Sequence, residues 1–397
     1  MKTTRRALLP LLAAPALRAA SPRESGRIAK LETFFVRVNH RGGWQIARIT
    51  TAGGLTGIGD ASHGQKDEAV LALMRTFFDR LKTMTVWDLE RFRSDVWPDV
   101  AKAGRNGAVA FGALEQCCWD LRGKITGLPV YDLLGGKVRD TVRCYANINR
   151  SSEVREPEAF AGLAARAVAA GFDAVKLAPF DGMPRNDAAK IKVHTDRGVA
   201  CVAAVRRAVG DKADVLIDGH SNFDLPASME LMRRLEPLRL YWLEEVTRAP
   251  EDLAKVNEAA SMTTAGGESI FGVDGFYPYI RAGAVDIVMP DVKYCGGIWE
   301  MKKIGAMAEA AKLKVSPHGP ASPVGNIAAA HVCLTMPNFT VLEMAFGEVP
   351  WRHQVVTPPE QFVKGHLTPS ARPGFGLELN DAFLRERAAA EPSRAAD

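Results

Sequence analysis

The sequence is poor in the signatures that would place it in several large protein classes. Six cysteines occur (Cys117, Cys118, Cys144, Cys201, Cys295 and Cys333), with no CxxC pair, no His-rich zinc spacing and no dense framework. That excludes a structural zinc module and a small disulfide scaffold, and the thiols read as small buried hydrophobes. There is no GxGxxG turn and no phosphate-binding loop, which argues against an open nucleotide-binding sheet. No apolar run approaches the roughly 18 residues that identify a bilayer-spanning helix, so no stable membrane association is expected. Charge of one sign is also scarce. The net charge is +5, and removal of Lys2, Arg5 and Arg6 with a leader would lower it to +2. With no basic stripe interleaved with aromatics, nucleic acid is not an expected partner.

What is present begins with a leader-like start. MKTTRRALLPLLAAPALRAA combines basic residues, an apolar stretch from Ala7 to Leu17 and a small-x-small Ala14-Pro15-Ala16. This has the form of an export signal, and Thr4-Arg5-Arg6-Ala7-Leu8-Leu9 has a twin-arginine form. Residues 1–26 are therefore expected to be signal and linker, with the mature protein exported to the periplasm. A cytoplasmic protein with a frayed N-terminus is the alternative.

The remaining chain is long enough for a barrel and a smaller companion. Ile28–Val38, Trp44–Thr51 and Leu55–Ala61 are strand-like runs punctuated by Gly42-Gly43 and Gly53-Gly54, which predicts an antiparallel meander. Lys66–Leu81 and Val109–Lys124 have helical periodicity. Residues 27–140 thus read as an α+β domain. From Thr141 short apolar runs alternate with amphipathic stretches such as Glu158–Ala170, Pro226–Leu235, Trp299–Ala311 and Val324–Leu334. The runs are Val142–Ile148, Ala174–Ala178, Val215–Asp218, Leu240–Glu244, Thr263–Glu268, Val285–Pro290, Lys314–His318 and Thr340–Met344. Eight such runs predict a closed parallel α/β barrel over residues 141–350. Residues 351–397, with a Gly374-Phe375-Gly376 turn, are expected to pack back on the N-terminal domain.

In such a barrel the active site lies at the carboxyl ends of the strands. Asp218, Glu244, Glu268, Asp291, His318 and Glu343 end successive runs at gaps of 23 to 27 residues, about one βα repeat, so they should converge on one face. Asp218, Glu244 and Glu268 offer only oxygen, which suits a hard divalent cation such as Mg2+. Glu245 is the rival of Glu244, and strand alternation lets only one face the site. Asp291 and His318 come from neighbouring strands. A carboxylate that accepts from one imidazole nitrogen raises the basicity of the other. His220, two residues beyond Asp218, could face substrate from the side opposite His318 and protonate a leaving hydroxyl.

The stretch Ala113–Gly136 (ALEQCCWDLRGKITGLPVYDLLGG), followed in order by IDGHSNF, WLEEV, GGES, MPDVKYCGGI and PHGPASPVG, resembles the enolase superfamily, in its mandelate racemase-like branch. The resemblance runs from about Arg27 to about Gly376. It implies an N-terminal α+β capping domain on a modified (β/α)7β barrel. It also implies Mg2+ held by Asp218, Glu244 and Glu268, a His318–Asp291 base, Glu343 assisting the enolate, and a homo-oligomer. Enolase-superfamily sites use a Lys or His base with Mg2+. Racemases of the branch carry Lys-x-Lys on the second strand. Here Val175-Lys176-Leu177-Ala178 retains only Lys176, a candidate ligand of the substrate carboxylate or a structural partner of a nearby acid. The Asp218-Gly219-His220 motif resembles acid-sugar dehydratases of galactonate, gluconate or mannonate type. The expectation is loss of water from a sugar acid to give a 2-keto-3-deoxy acid. A racemase or epimerase, another lyase or isomerase, and a non-catalytic sugar-acid binder are the alternatives. Specificity is expected from the loops Asn39–Gly43 and Gly59–Gln65 and the connection Pro179–Arg197, with His63, Arg185 and His194 as possible polyol contacts.

Overall fold

The computed structural model describes residues 21–64 and 67–390. The expected leader, with Arg5 and Arg6, lies outside the described residues. The N-terminal domain starts with the expected meander: β1 (Ile28–Asn39), β2 (Gly42–Thr51) and β3 (Thr56–Asp60) pair antiparallel in that order. The hairpin tip is His40–Arg41, so Gly42-Gly43 opens β2 rather than forming the turn. The helices α1 (Glu68–Leu81) and α2 (Leu89–Ala103) pack against α3 (Arg105–Thr126), which lies on the sheet. Helix α3 is buried from Gly107 to Leu121. It lies against β3 so closely that a Cβ at Gly57 or Gly59 would fall 2.2 Å or 2.1 Å from a helix carbonyl oxygen. Only glycine permits that approach. Helix α2 was not expected from the sequence. Pro98 lies inside it, and the polar ERFRSD stretch blurs its apolar face.

The barrel strands are β4 (Val142–Asn147), β5 (Ala174–Leu177), β6 (Asp214–Asp218), β7 (Trp242–Glu244), β8 (Thr263–Gly266), β9 (Ile287–Val288), β10 (Lys314–Val315) and β11 (Leu342–Ala345). They pair parallel in sequence order from β4 to β10, and β11 pairs with β4. The ring closes between β10 and the start of β11, where Val315 N–H donates to Asn338 O and Thr340 N–H to Val315 O. Helices α4 (Pro157–Ala169), α5 (Ala188–Val209), α6 (Leu225–Leu235), α7 (Pro250–Ala259), α8 (Gly272–Arg281), α9 (Gly297–Ala310) and α10 (Pro323–Cys333) follow the first seven strands in turn. The eighth strand has no such helix, which gives the (β/α)7β pattern. Helix α5 starts where the Asp187 carboxylate accepts from Lys190 N–H. The connection expected to run to Arg197 is therefore already helical for its last ten residues.

Strand alternation sets what points inward. Tyr145, Ala174, Leu216, Trp242, Ala265, Ile287, Met289 and Val341 form a closed apolar layer of their own. Two residues further along the same strands stand Asn147, Lys176, Asp218, Glu244, Asp291 and Glu343. The barrel is thus plugged by apolar side chains and lined with charge one layer above. The C-terminal segment packs on both domains, not on the N-terminal one alone. His366–Leu367 pairs antiparallel with Val142–Arg143 of β4. Phe375 N–H donates to Asp120 of α3, and Asp381, at the start of the terminal helix α11 (Asp381–Ala390), binds Arg48 of β2.

Candidate active site

The inward layer answers the choice between Glu244 and Glu245. Glu244 stands two residues above Trp242 and faces the barrel interior, where Trp242 Nε1 donates to it at 3.1 Å. Its backbone neighbour across the ladder is Asp218. Glu245 lies just beyond the strand with φ of +37°. Its carboxylate accepts from Gly267 N–H at 2.6 Å and holds the turn that presents Glu268. Burial, followed by the nearby charges of Glu268 and Asp218, pushes the Glu245 carboxyl up to about 7.

The ammonium of Lys176 is turned to the carboxylates of the cluster, as a partner of acids. It is fully buried, with Nζ 3.0 Å and 3.1 Å from the two oxygens of Glu244, 3.3 Å from Glu343 and 3.7 Å from Asp218. Burial opposes its charge, but Glu244 and Glu343 outweigh that and hold the ammonium well above its usual range. The lysine balances three carboxylates that would otherwise repel one another. One monovalent cation leaves the cluster negative. Burial, then Asp218, drives the Glu244 carboxyl well above its ordinary range even beside Lys176.

Two aspartate–histidine pairs flank this cluster. His318 Nδ1–H donates to Asp291 at 2.6 Å, and its Nε2 lies 3.2 Å from Glu268 and 3.7 Å from Glu343. Burial disfavours the charged ring, yet Glu268, Glu343 and Asp291 raise its affinity for the proton. Asp291 is also held by Lys293, whose Nζ sits 2.7 Å and 2.9 Å from the two carboxylate oxygens. Burial would raise the Asp291 carboxyl, but Lys293 and His318 bring it down to about 2. The second pair is His220 with Asp181: Nδ1–H donates to Asp181, while Nε2 lies 2.8 Å from Asp218. His220 and His318 leave β6 and β10, four places apart in a ring of eight, so they approach the mouth from opposite sides. His220, Ser221 and Glu245 all have positive φ. Such conformations cost energy in non-glycine residues and gather at functional sites.

Several participants were not anticipated from the sequence. Asn147 ends β4 and donates to Glu343, whose other oxygen accepts from Gly319 N–H at 3.1 Å. Reading the last polar residue of the first run, VRCYAN, in the same way as the others would have found it. Asp181 and Lys293 lie beyond strand ends, where residue spacing gives no signal. Of the expected loop contacts, His63 packs edge-on against Tyr294 at 5.4 Å, and Tyr294 in turn lies 5.9 Å from the His318 ring. Both ring nitrogens of His194 are engaged by the protein. Its Nε2–H donates to Phe180 O at 3.2 Å and its Nδ1 accepts from Arg197. Arg185 is exposed.

The donor set fits a divalent cation. Ligand atoms of Asp218, His220 and Glu268 lie within 4.8 Å of one another. With the His318 ring neutral, Glu268 Oε2 is buried without a hydrogen-bond donor although Nε2 lies 3.2 Å away, and such an atom costs free energy unless a cation meets it. Glu244 was expected in this group, but its oxygens are turned to Lys176.

The sequence comparisons bear on the same residues. Residues 36–135 match the mandelate racemase / muconate lactonizing enzyme N-terminal domain, and residues 159–383 match the enolase C-terminal domain-like family. The chain belongs to the enolase superfamily, in its mandelate racemase/muconate lactonizing enzyme branch, and the divalent-metal site of that superfamily falls at Asp218, His220 and Glu268. It is 31% identical over 380 residues to a D-galactonate dehydratase of Ralstonia pickettii, covering 92% of this chain and 95% of that one. It is 34% identical to a D-gluconate dehydratase of Thermoproteus tenax over 72% of this chain and 57% of the relative. A mandelate racemase/muconate lactonizing enzyme-like protein from Rubrobacter xylanophilus has a similar structure, with a TM-score of 0.84 at 32% identity over 91% of this chain and 98% of the other. No described helix is long and apolar enough to cross a membrane.

Proposed function

We propose that this chain is a magnesium-dependent dehydratase of sugar acids. The observation that carries the reading is the pair of aspartate-backed histidines on opposite sides of a carboxylate cluster. One can take a proton while the other gives one. The galactonate and gluconate dehydratases among its relatives support the substrate class. Asp218, Glu244 and Glu268 would hold Mg2+; His220 lies within reach of the same ion, and on this reading its Nε2 is kept for the substrate. The cation would neutralise charge that builds on the substrate carboxylate when the neighbouring proton leaves.

The chain's own residues supply the proton transfers. His318 Nε2 takes the proton from C2, and Asp291 keeps the Nδ1 proton in place and stabilises the imidazolium. Glu343, fixed by Asn147 and Gly319, lies beside the same ring. His220 delivers a proton to the leaving 3-hydroxyl as the C3–O bond breaks. Water departs, and the enol product tautomerises to a 2-keto-3-deoxy acid. Lys176 offsets the charge of Glu244 and Glu343. Nothing occupies the place of a second Lys-x-Lys base, because that position is Ala178. A racemase or epimerase using His220 as the opposed base is the second reading, favoured by the aspartate behind that ring.

The test is NMR in D2O with Mg2+ and a panel containing D-galactonate, D-gluconate and D-xylonate, on the wild type and His220→Asn. The expected result is a keto-deoxy product from the wild type, and C2 deuteration without elimination from the variant. Elimination should fall by about 100-fold or more, the usual contribution of a positioned acid. Deuteration of C2 by the wild type with no loss of water would establish the racemase or epimerase instead.

A further inference from the structure

The two histidines share a construction that the motifs do not reveal. His318 follows β10 and is held at Nδ1 by Asp291, which follows β9. His220 follows β6 and is held at Nδ1 by Asp181, which follows β5. In each case the aspartate comes from the preceding strand and leaves Nε2 turned to the carboxylate cluster.

Asp181 is a built feature. Its second oxygen accepts from Arg155, in the loop after β4, and from Arg41 Nη2 at 3.0 Å. Arg41 stands at the tip of the β1–β2 hairpin of the capping domain. That tip is fixed in turn, because Asn39 donates to Arg150 O at 3.0 Å and accepts from Arg41 N–H at 2.9 Å. The backbone just before Asp181 is anchored as well, since Phe180 O accepts from His194 and from Asn222. The His220 backbone is strained, with φ of +44°, and its N–H donates to Asp218 at 2.8 Å. Two guanidinium groups on the second oxygen of Asp181 favour the ionised carboxylate. It is an anionic acceptor.

We propose that Asp181 is the positioning residue of His220. It accepts the Nδ1 proton, fixes the ring so that Nε2 faces the reacting atoms, and is itself held by Arg41 from the capping domain. A hydrogen-bonded carboxylate of this kind sets the tautomer and orientation of a working imidazole. The proton-donor role of His220 rests on the dehydratase reading; the contact with Asp181 does not.

The test separates the two. Protein labelled with 15N-histidine and loaded with Mg2+ is compared as wild type, Asp181→Asn, Asp181→Glu and His220→Asn. The expected spectrum has a downfield Nδ1 proton that His220→Asn removes, Asp181→Asn loses and Asp181→Glu partly restores. With the sugar-acid panel in D2O, Asp181→Asn should lower elimination by about 10- to 100-fold, the usual cost of losing such a partner, while C2 exchange driven by His318 stays near wild type. An unchanged Nδ1 signal in Asp181→Asn would overturn the proposal, as would an equal loss of exchange and elimination. If wild-type protein transforms no acid, the dehydratase reading falls, and the Nδ1 signal still decides the role of Asp181.

Discussion

At the scale of single residues, each inward polar side chain is legible only in part. Asp218, Glu244, Asp291 and Glu343 could be read because a barrel repeats every 23 to 27 residues and each keeps the inward face of its strand, whereas Glu268 reaches the site through a turn that Glu245 holds. What could not be read is who neutralises whom. Lys176 lies on the second strand, yet its ammonium ends among carboxylates from the third, fourth and eighth. Lys293 is a comparable case. It packs both carboxylate oxygens of Asp291 and competes with His318 for that negative charge. Removing the cation should strengthen the hold of Asp291 on the His318 proton. On the dehydratase reading His318 must be neutral to act, so Lys293→Met should move the acid limb of the kcat/KM profile to higher pH, by up to about one unit for a charge at this distance. A pH profile measured on the variant checks this, and an unmoved limb would make Lys293 a packing residue only.

At the scale of elements, strong periodicity was readable and weak periodicity was not. The helix expected over Val324–Leu334 is present as α10, whereas α2 and the first turns of α5 were missed because polar surface residues dilute their apolar stripes. Helix α10 illustrates a second limit. All of its residues are buried, including His331, which had no apparent role in the sequence. Its Nδ1 accepts from Tyr131 N–H at 3.2 Å and its Nε2 meets Phe375 O at 3.4 Å. The neutral ring therefore joins the end of the capping domain, a barrel helix and the C-terminal segment. Burial pulls its proton affinity down to about 4 from the ordinary 6.5. Between those values the unfolded chain binds more protons than the folded one, so stability is complete above about pH 6.5 and is lost as the pH falls towards 4. The shift corresponds to roughly 3 kcal/mol at most. His331→Leu should be less stable than wild type at pH 7, by about 1 to 3 kcal/mol for the abandoned hydrogen bonds. It should lose less on going to pH 5. Denaturant unfolding at the two pH values measures both differences.

At the scale of the whole molecule, a change in rhythm near Thr141 is visible in the sequence, but the fastening of the N-terminal elements to the barrel is not. The fasteners are side chains far apart in sequence. Asp60 of β3 accepts from Ser322 N–H and Oγ, at the start of α10 and just past His318. Glu115 of α3 accepts from Ile298 and Trp299 N–H at the start of α9. A barrel mouth gripped in this way collects Asp218, Glu244, Glu245, Glu268 and Glu343 around one lysine and two histidines, so folding is opposed by its own active site unless a cation is present. Glu245, raised to about 7 from 4.5, carries part of that cost. With a raised carboxyl the folded state binds the extra proton, so stability in chelator falls as the pH rises from about 4.5 through 7. A divalent cation should reverse the loss, because it binds the folded chain and displaces the same protons. At about 100 times Kd the gain is about 2.7 kcal/mol, or a few degrees in Tm for a chain of this size. Thermal unfolding with Mg2+ and with chelator, at pH 6 and pH 8, should give a larger difference at pH 8. Asp218→Asn should abolish the difference at both, and a variant that still responded like wild type would place the cation somewhere other than this cluster.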